Sequence, residues 1–122
     1  MSLFQLGNFV LHSGQKSNWK ISCDFLTRDD WDTLAAIAVE RLPAFGSVEG
    51  VTRGGWEFAG SLRSYCTRGP LLIADDVLTT GRSMEELRAG RKAIGVVVFA
   101  RGPCLPWVVP LFSLTARFSG GW

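Results

Sequence analysis

The sequence lacks the features that mark secreted, membrane-spanning and zinc-binding proteins. Its three cysteines, Cys23, Cys66 and Cys104, are odd in number and widely spaced, without a Cys-x-x-Cys pair. This pattern excludes a disulfide framework or a zinc site and fits reduced thiols. The amino-terminal stretch lacks the basic start and long apolar run of a signal peptide. Arg101 and several prolines interrupt the apolar C-terminal third, so no membrane span is expected. These absences predict a soluble, cytoplasmic protein.

Neither positive nor negative charge predominates in the sequence. The net charge is +2, and no run of lysines and arginines forms a basic stripe, which argues against a nucleic-acid partner. With 122 residues, 47% of them apolar and 20% charged, the chain has the composition of an ordinary globular protein. We therefore predict a single compact domain over residues 1–122, which is large enough for a hydrophobic core.

Strand and helix patterns alternate along the chain. The predicted strands are Phe9–His12, Trp19–Ser22, Ser47–Val51, Leu71–Ala74, Ile94–Ala100 and Val108–Leu114. The first predicted helix starts at Thr27 and is ended by Pro43. Two further helices are predicted at Trp56–Tyr65 and Ser83–Ala89. Strands that alternate with helices indicate βαβ units. The expected fold class is therefore α/β, with a mainly parallel sheet flanked by helices.

The segment Leu71–Glu86, LLIADDVLTTGRSMEE, is the most informative part of the chain. Its four apolar residues suit a buried parallel strand, and the carboxylates Asp75 and Asp76 stand where that strand is predicted to end. Ligands of open α/β sheets bind at this end of the strands. The following hydroxyls, glycine and helix start suit a phosphate, and the two carboxylates suit sugar hydroxyls or a metal ion. Together they indicate a phosphorylated sugar.

The same segment resembles the 5-phosphoribosyl-1-pyrophosphate (PRPP) signature of type I phosphoribosyltransferases, in which an apolar strand and two acidic residues precede Thr-Thr-Gly. The resemblance implies that Asp75 and Asp76 are catalytic residues that contact the ribose, and that either one is a candidate ligand for Mg²⁺. It also implies a 5-phosphate site formed by Thr79, Thr80, Gly81, Arg82 and Ser83. A P-loop is excluded, because no Gly-Lys-Ser/Thr follows a glycine-rich run.

A second strand-to-helix turn, Glu49–Gly55, resembles the pyrophosphate loop of that family. Glycine permits close approach of an anion, and arginine adds a planar fork of donors. The resemblance assigns Thr52, Arg53 and Gly54 to the pyrophosphate. It also predicts a cis peptide between Thr52 and Arg53, as in several relatives. The alternative for this segment is an ordinary turn before a helix.

The amino-terminal sequence FVLHSGQKSNWKISCD is similar to a segment of orotate phosphoribosyltransferases. In those enzymes the corresponding strands form a small hood over the nucleobase, which predicts a hood over about residues 1–26 and a core over about 27–114. Lys16 lies in the turn of this segment and is a candidate nucleobase contact. His12 stands where many relatives have lysine, and a lone histidine is more often a packing or surface residue.

Arg101 follows the apolar strand Ile94–Ala100 directly. An arginine at the matching point of orotate enzymes pairs with the pyrimidine carboxylate, and a planar guanidinium suits that acid. The resemblance therefore makes Arg101 a nucleobase contact and favours acidic pyrimidines. The alternative is a solvated residue that opens the Gly102–Pro103 turn.

One part of the family pattern is missing. Relatives have a further strand and a long mobile loop with basic residues before the PRPP strand, whereas here only Cys66–Gly69 separates the second helix from Pro70. The sequence thus predicts that the lid is absent. Lids exclude water and place charge on the leaving group, so this absence bears directly on activity.

The resemblance implies transfer of the phosphoribosyl group of PRPP to a nucleobase such as orotate, with release of pyrophosphate and with Mg²⁺ as cofactor. It also implies a homodimer that works in pyrimidine biosynthesis; the tail Phe118–Trp122 either packs against the partner or is frayed. Two other functions stay open. One is a regulatory protein that binds PRPP or a nucleotide without catalysis, and the other is hydrolysis of PRPP or a nucleotide. An RNA-binding attenuator is disfavoured by the near-neutral charge.

Overall fold

The computed structural model describes residues 2–11 and 14–114. The elements in chain order are β1 Phe4–Val10, β2 Lys16–Ile21, α1 Arg28–Arg41, β3 Ser47–Gly50, α2 Thr52–Leu62, β4 Leu71–Leu78, α3 Arg82–Arg88, β5 Ala93–Ala100 and β6 Val108–Ser113. Strands β3 to β6 form a parallel sheet in the order β3-β4-β5-β6, and β1 pairs with β2 in an antiparallel hairpin. The predicted α/β fold class is confirmed.

The sheet lies between two helical layers. Because successive side chains of a strand point to opposite faces, Leu72 and Ala74 of β4 pack with helices α1 and α2, whereas Ile73 packs with α3 on the other face. Helix α2 connects β3 to β4, and α3 connects β4 to β5. The central strand β4 is therefore buried on both faces, as its continuous apolar run predicts.

Helix α1 begins with the capping arrangement that the sequence predicts. The Asp30 N–H donates to Thr27 Oγ1 at 3.1 Å, and the Thr27 N–H donates to Asp30 Oδ2 at 2.8 Å, so two otherwise unpaired donors are satisfied. The helix ends at Arg41, shortly before Pro43. Its buried face, which includes Trp31, packs against α2 with a Trp31–Phe58 ring separation of 5.8 Å.

Helix α2 begins at Thr52, four residues before the predicted start at Trp56. The prediction was wrong because two glycines normally disfavour a helix. Here the first turn lies so close to β4 that a Cβ at Gly54 would be 2.0 Å from Asp76 Oδ2, and a Cβ at Gly55 would be 2.7 Å from the Ala74 carbonyl oxygen. Close packing requires glycine at these two positions and outweighs their low helix propensity.

Strand β4 continues through Leu78, four residues beyond its predicted end at Ala74. Its partner β5 continues alongside, with Asp75 opposite Val97 and Leu78 opposite Ala100. The two aspartates therefore lie within the strand and not after it. This correction places both carboxyl groups on a hydrogen-bonded backbone, which fixes their positions more firmly than a loop would.

The amino-terminal hairpin is longer than predicted, because β1 begins at Phe4 and β2 at Lys16. A bulge between Leu6 and Phe9 shifts its register. The hairpin contacts the core through Phe4, whose ring centroid is 5.9 Å from that of Phe99. His12 and Ser13, which the sequence places at its tip, lie outside the described residues, as does the tail Phe118–Trp122.

The opposite end of the sheet, before β3 and β4, is closed by short connections. The Gly46 N–H donates to the Pro70 carbonyl oxygen at 3.0 Å, and the Thr67 N–H donates to the Phe45 carbonyl oxygen at 2.8 Å. The segment after α2 is therefore a short, anchored connection, as expected from the few residues between α2 and Pro70. In the described ranges, no helix is long and apolar enough to cross a membrane.

Candidate functional site

A cavity of about 460 Å³ opens at the carboxyl ends of the parallel strands. The hairpin contributes one wall, and the first turns of α2 and α3 with the end of β4 contribute the others. The structure brings eleven of the predicted site residues to its lining: Thr52, Arg53, Gly54, Asp75, Asp76, Thr79, Thr80, Gly81, Arg82, Ser83 and Arg101. Lys16 lies outside this lining. The predicted residues thus converge at the edge of the sheet where open α/β folds bind ligands.

The loop Thr79–Ser83 forms one side of the cavity. Gly81 has φ of +85°, and a Cβ there would be 2.7 Å from Leu105 Cδ1, so both the backbone and the packing require glycine. Within the described residues, no carbonyl oxygen accepts a hydrogen bond from the N–H groups of Gly81, Ser83 or Met84. The Arg82 N–H donates to Thr80 Oγ1 at 3.3 Å. The loop therefore presents unpaired backbone donors, which suit an anion.

Asp75 is buried at the floor of the cavity, with 5% of its surface exposed. Its Oδ1 accepts hydrogen bonds from the Asp76 N–H at 2.8 Å and from Thr52 Oγ1 at 3.3 Å. Burial, followed by the neighbouring Asp76 carboxyl, raises the pKa of Asp75 to about 9, because a desolvated carboxylate beside a like charge is unfavourable. At neutral pH the Asp75 carboxyl is therefore protonated in the folded chain.

Asp76 Oδ1 accepts a hydrogen bond from the Val77 N–H at 2.8 Å, and its Oδ2 lies beside Gly54 at the start of α2. Among the described residues, no group of three or more His, Cys, Asp and Glu side chains is placed to hold a metal ion without help. The Asp75–Asp76 pair beside a loop with unpaired N–H donors fits Mg²⁺ instead. This ion is usually held by one or two carboxylates together with substrate phosphates.

The predicted cis peptide is wrong, since the Thr52–Arg53 bond is trans. The strain lies in the backbone dihedral of Thr52, which has φ of +57°. This region costs a β-branched residue roughly 1–3 kcal/mol. Two hydrogen bonds hold Thr52 in this conformation. The Val51 N–H donates to the Ala74 carbonyl oxygen at 2.9 Å, and Thr52 Oγ1 donates to Asp75. Arg53 follows; it is exposed and lines the cavity.

Arg101 connects the sheet to the hairpin. Its Nη2 donates to Ser17 Oγ at 2.9 Å, its Nη1 donates to the Trp19 carbonyl oxygen at 3.2 Å, and its guanidinium carbon lies 3.5 Å from the Trp19 ring centroid. Burial lowers the pKa of Arg101 from its ordinary value. The guanidinium therefore fastens the hairpin beside the cavity, and it keeps further N–H donors for a ligand.

Lys16 lies in a separate recess of about 470 Å³, together with Gln15, Ser17 and Arg101. Leu11, Thr79 and Arg101 line both the recess and the main cavity, so the two spaces meet there. The structure thus brings Lys16 and Arg101, the two predicted nucleobase contacts, into one polar recess next to the loop Thr79–Ser83.

The lining also contains residues that were not predicted from the sequence, among them Lys20 and Cys23. Lys20 of β2 reaches the cavity, with its Nζ 4.8 Å from the Phe9 ring centroid; the signal was a lysine between Trp19 and Ile21 in a half-buried strand. Cys23 also lines the cavity, and burial raises the pKa of its thiol to about 12. A thiol that stays protonated is a poor nucleophile, so Cys23 is a packing residue here.

Comparison with known proteins identified structural relatives only; no protein-family model and no curated protein matches this sequence. An orotate phosphoribosyltransferase from Aeropyrum pernix superposes with a TM-score of 0.70 at 22% identity, covering 92% of this chain and 88% of that one. The orotate phosphoribosyltransferase of Mycobacterium tuberculosis H37Rv, solved with Fe(III) dicitrate, gives 0.68 at 14% identity, with 93% and 90% covered.

A third similar structure is the UMP synthase of Leishmania donovani, with a TM-score of 0.69 at 18% identity. The alignment covers 92% of this chain but 34% of that protein, so the chain corresponds to about a third of its length. At these identities the comparison establishes the fold. The chain has the fold of type I phosphoribosyltransferases, in the form seen in orotate phosphoribosyltransferases.

Proposed function

We propose that this protein transfers the phosphoribosyl group of PRPP to a nucleobase, with orotate or a related acidic pyrimidine as acceptor. The observation that carries the proposal is the cavity itself. It brings an acidic pair, a loop with unpaired N–H donors and a glycine-rich helix start to one edge of a fold shared with orotate phosphoribosyltransferases. A ribose with phosphate groups at C5 and C1 matches that arrangement of donors and acids.

In the proposed reaction, a ring nitrogen of the base forms a bond to C1 of the ribose while the bond from C1 to the pyrophosphate oxygen breaks. The electron pair of that bond leaves with the pyrophosphate, and the base nitrogen loses its proton. Positive charge develops at C1, so catalysis depends mainly on positioning and on charge stabilisation. The Asp75–Asp76 pair favours that charge and holds the ribose hydroxyls. Asp76 is proposed to handle the proton.

The remaining roles follow the lining of the cavity. The loop Thr79–Ser83 holds the 5-phosphate through its backbone N–H groups and hydroxyls. Thr52, Arg53 and Gly54 face the pyrophosphate at the start of α2. The recess that contains Lys16 and Arg101 receives the base, whose acidic group pairs with these two cations. The proposal includes Mg²⁺, which Asp76 would hold jointly with substrate oxygens. Such an ion supplies charge neutralisation on the leaving pyrophosphate.

On the family resemblance, we also propose a cytoplasmic homodimer that acts in pyrimidine biosynthesis. Sedimentation of the purified chain tests the dimer.

The test of the main proposal is pyrophosphate release from PRPP and orotate in the presence of Mg²⁺, measured with the wild type and with Asp76→Asn. The expected result is release by the wild type and a loss of at least about a hundredfold in the variant, since removal of one charge-stabilising group typically costs this much. PRPP binding without release for orotate, uracil or any purine base would defeat the enzymatic claim. Absence of PRPP binding would defeat the assignment of the site.

A second candidate, a non-catalytic protein that binds PRPP or a nucleotide, is favoured by one observation. The segment Cys66–Pro70 is anchored at the far end of the sheet, so no lid from that position covers the cavity. A ligand would then be held without exclusion of water. Calorimetry separates the two candidates, because a binder saturates with PRPP whether or not a base is present and produces no heat of turnover.

A further inference from the structure

Four cationic side chains line the main cavity: Lys20, Arg53, Arg82 and Arg101. Two of them already have partners in the protein. Arg82 Nε lies 3.0 Å from Glu86 Oε1, and Arg101 donates to Ser17 and to the Trp19 carbonyl oxygen. In the part of the chain that the structure describes, neither Lys20 nor Arg53 is paired with a carboxylate. Arg101 has only neutral partners and keeps donors for a ligand, but it is assigned to the base above. Lys20 and Arg53 are therefore the cavity cations that are left for the phosphate groups.

Lys20 is held in place by the hairpin. It is the penultimate residue of β2 and is half-buried, with its ammonium nitrogen 4.8 Å from the centroid of the Phe9 ring. The contact with the ring restricts the ammonium group of a residue that lines the cavity. An ammonium group that is positioned in this way loses little conformational freedom when it binds an anion.

The two lysines near the site line different spaces, whereas Arg101 lines both. Lys20 shares the main cavity with Thr52, Arg53 and the acidic pair, whereas Lys16 lies in the adjoining recess with Gln15 and Ser17. The proposed base site is that adjoining recess. Lys20 is therefore placed with the groups that face the pyrophosphate and not with those that face the base.

We propose that Lys20 binds the diphosphate group of PRPP, opposite Arg53, and so supplies from the hairpin a cation that this chain does not carry on a lid. The inference rests on the proposed function, because it assumes that PRPP occupies the cavity. The short connection Cys66–Pro70 leaves the diphosphate without a covering loop, and a lysine from the hairpin places a positive charge there within the same chain. An ammonium point charge suits this group, since its three donors adapt to several phosphate oxygens.

The experiment compares two ligands on the same variants. Binding of PRPP and of ribose 5-phosphate, both with Mg²⁺, is measured by calorimetry for the wild type, Lys20→Met, Lys20→Gln and Lys20→Arg. The expected result is a loss of about tenfold or more in PRPP affinity for the Met and Gln variants, as expected for one charge-assisted contact. Ribose 5-phosphate, which lacks the diphosphate, should bind all four proteins equally, and Lys20→Arg should restore most of the PRPP affinity.

Lys92 provides a matched control, because it is exposed and precedes β5 at the opposite end of the sheet. Lys92→Met should bind both ligands as the wild type does, so that a general charge effect is excluded. The inference would be overturned if Lys20→Met lost equal affinity for both ligands, or if its PRPP affinity were unchanged. In either case, PRPP binding by the wild type would still support the proposed site. A wild type that binds neither ligand would instead defeat the proposed function itself.

Discussion

The two ends of the parallel sheet are built differently. At the end where the strands begin, Gly46 and Thr67 donate backbone hydrogen bonds to Pro70 and Phe45, and a Cβ at Gly69 would be 2.6 Å from the Ala44 carbonyl oxygen. At the end where the strands finish there is a cavity of about 460 Å³, with a buried carboxyl group at Asp75. One end satisfies its own polar groups, and the other leaves donors and acids for a ligand.

The difference shows where stability has been exchanged for binding capacity. The strained φ of Thr52, the desolvated Asp75 and the unpaired N–H groups of Gly81 and Ser83 all lie at the cavity end. The strain at Thr52 and the desolvation of Asp75 cost free energy in the folded chain. The N–H groups of Gly81 and Ser83 are available to a ligand. Substitutions at the two ends should therefore separate stability from binding.

The largest effect on stability is expected for Gly69→Ala at the closed end. Gly69 has φ of +133°, and the added methyl group would meet backbone atoms that cannot rotate away. We expect the free energy of unfolding to fall by about 2–4 kcal/mol, from strain and overpacking together. PRPP affinity of the folded fraction should not change. Urea denaturation and calorimetry check the two parts.

Gly90→Ala is the matched control for this substitution. Gly90 also has a positive φ, of +77°, but a Cβ there would have no atom within 4 Å. The strain alone should cost about 1 kcal/mol. If Gly69→Ala costs no more than Gly90→Ala, close packing does not hold the closed end.

The reverse pattern is expected for Gly81→Ala at the cavity end. The methyl group would press on Leu105 at 2.7 Å, and the loop would have to leave its left-handed conformation. We expect affinity for ribose 5-phosphate to fall by at least about tenfold, since the loop N–H donors lose their alignment. The loss of stability should be smaller than for Gly69→Ala. Unchanged affinity would show that this loop does not hold the phosphate.

The buried carboxyl group gives a pH-dependent prediction. Because the pKa of Asp75 is raised from 3.8 to about 9 in the folded chain, the folded state binds this proton more tightly than the unfolded state. The free energy of unfolding therefore decreases as the pH rises from about 4 towards 9, by at most roughly 1.4 kcal/mol per pH unit for one proton. Asp75→Asn, which is neutral at every pH, removes this slope.

Asp75→Asn should consequently be more stable than the wild type at pH 8, and the difference should shrink towards pH 5. Thermal unfolding across this range measures it. Asparagine keeps the oxygen that accepts from Asp76 N–H and Thr52, so the local hydrogen bonds remain. If Asp75→Asn were less stable than the wild type at pH 8, the claim that the Asp75 carboxyl group destabilises the folded chain would be wrong.

The smallest effect is expected at the junction between the sheet and the hairpin. Arg101→Met removes both hydrogen bonds to β2 and the contact with the Trp19 ring. We expect hydrogen exchange of the hairpin amides to accelerate by about tenfold, while the core amides change little. Arg41→Met is the control, because Arg41 donates to the Leu111 carbonyl oxygen of β6 at 2.7 Å and not to the hairpin. Equal exchange in both variants would rule out Arg101 as the fastening residue.

Much of the fold follows from local sequence signals. The apolar runs at Leu71 and Ile94 predicted the central strands, and Thr27 with Asp30 predicted the start of α1. The residues of the cavity were predicted by their places after the strands, because parallel strands bring their carboxyl ends to one edge. The boundaries at Thr52 and Leu78 were missed, since close packing against Gly54 and Gly55 and pairing with β5 overrode local propensity.

Contacts between distant parts of the chain were beyond the reach of the sequence. The hydrogen bond from Arg101 to Ser17 joins residues 84 positions apart, and no spacing rule predicts it. The same is true of Lys20, whose approach to the cavity depends on how the hairpin packs on the sheet. The raised pKa of Asp75 also depends on burial that only the folded structure reveals.

The most direct test of the account follows the backbone amides of both ends of the sheet by NMR while ribose 5-phosphate and then PRPP are added. The account predicts saturable shifts of the Gly81, Ser83 and Met84 amides with either ligand, further shifts at Arg53 with PRPP alone, and none at Gly46. Shifts absent from the Thr79–Ser83 loop, or confined to the closed end, would contradict the claim that this cavity binds a phosphorylated ribose.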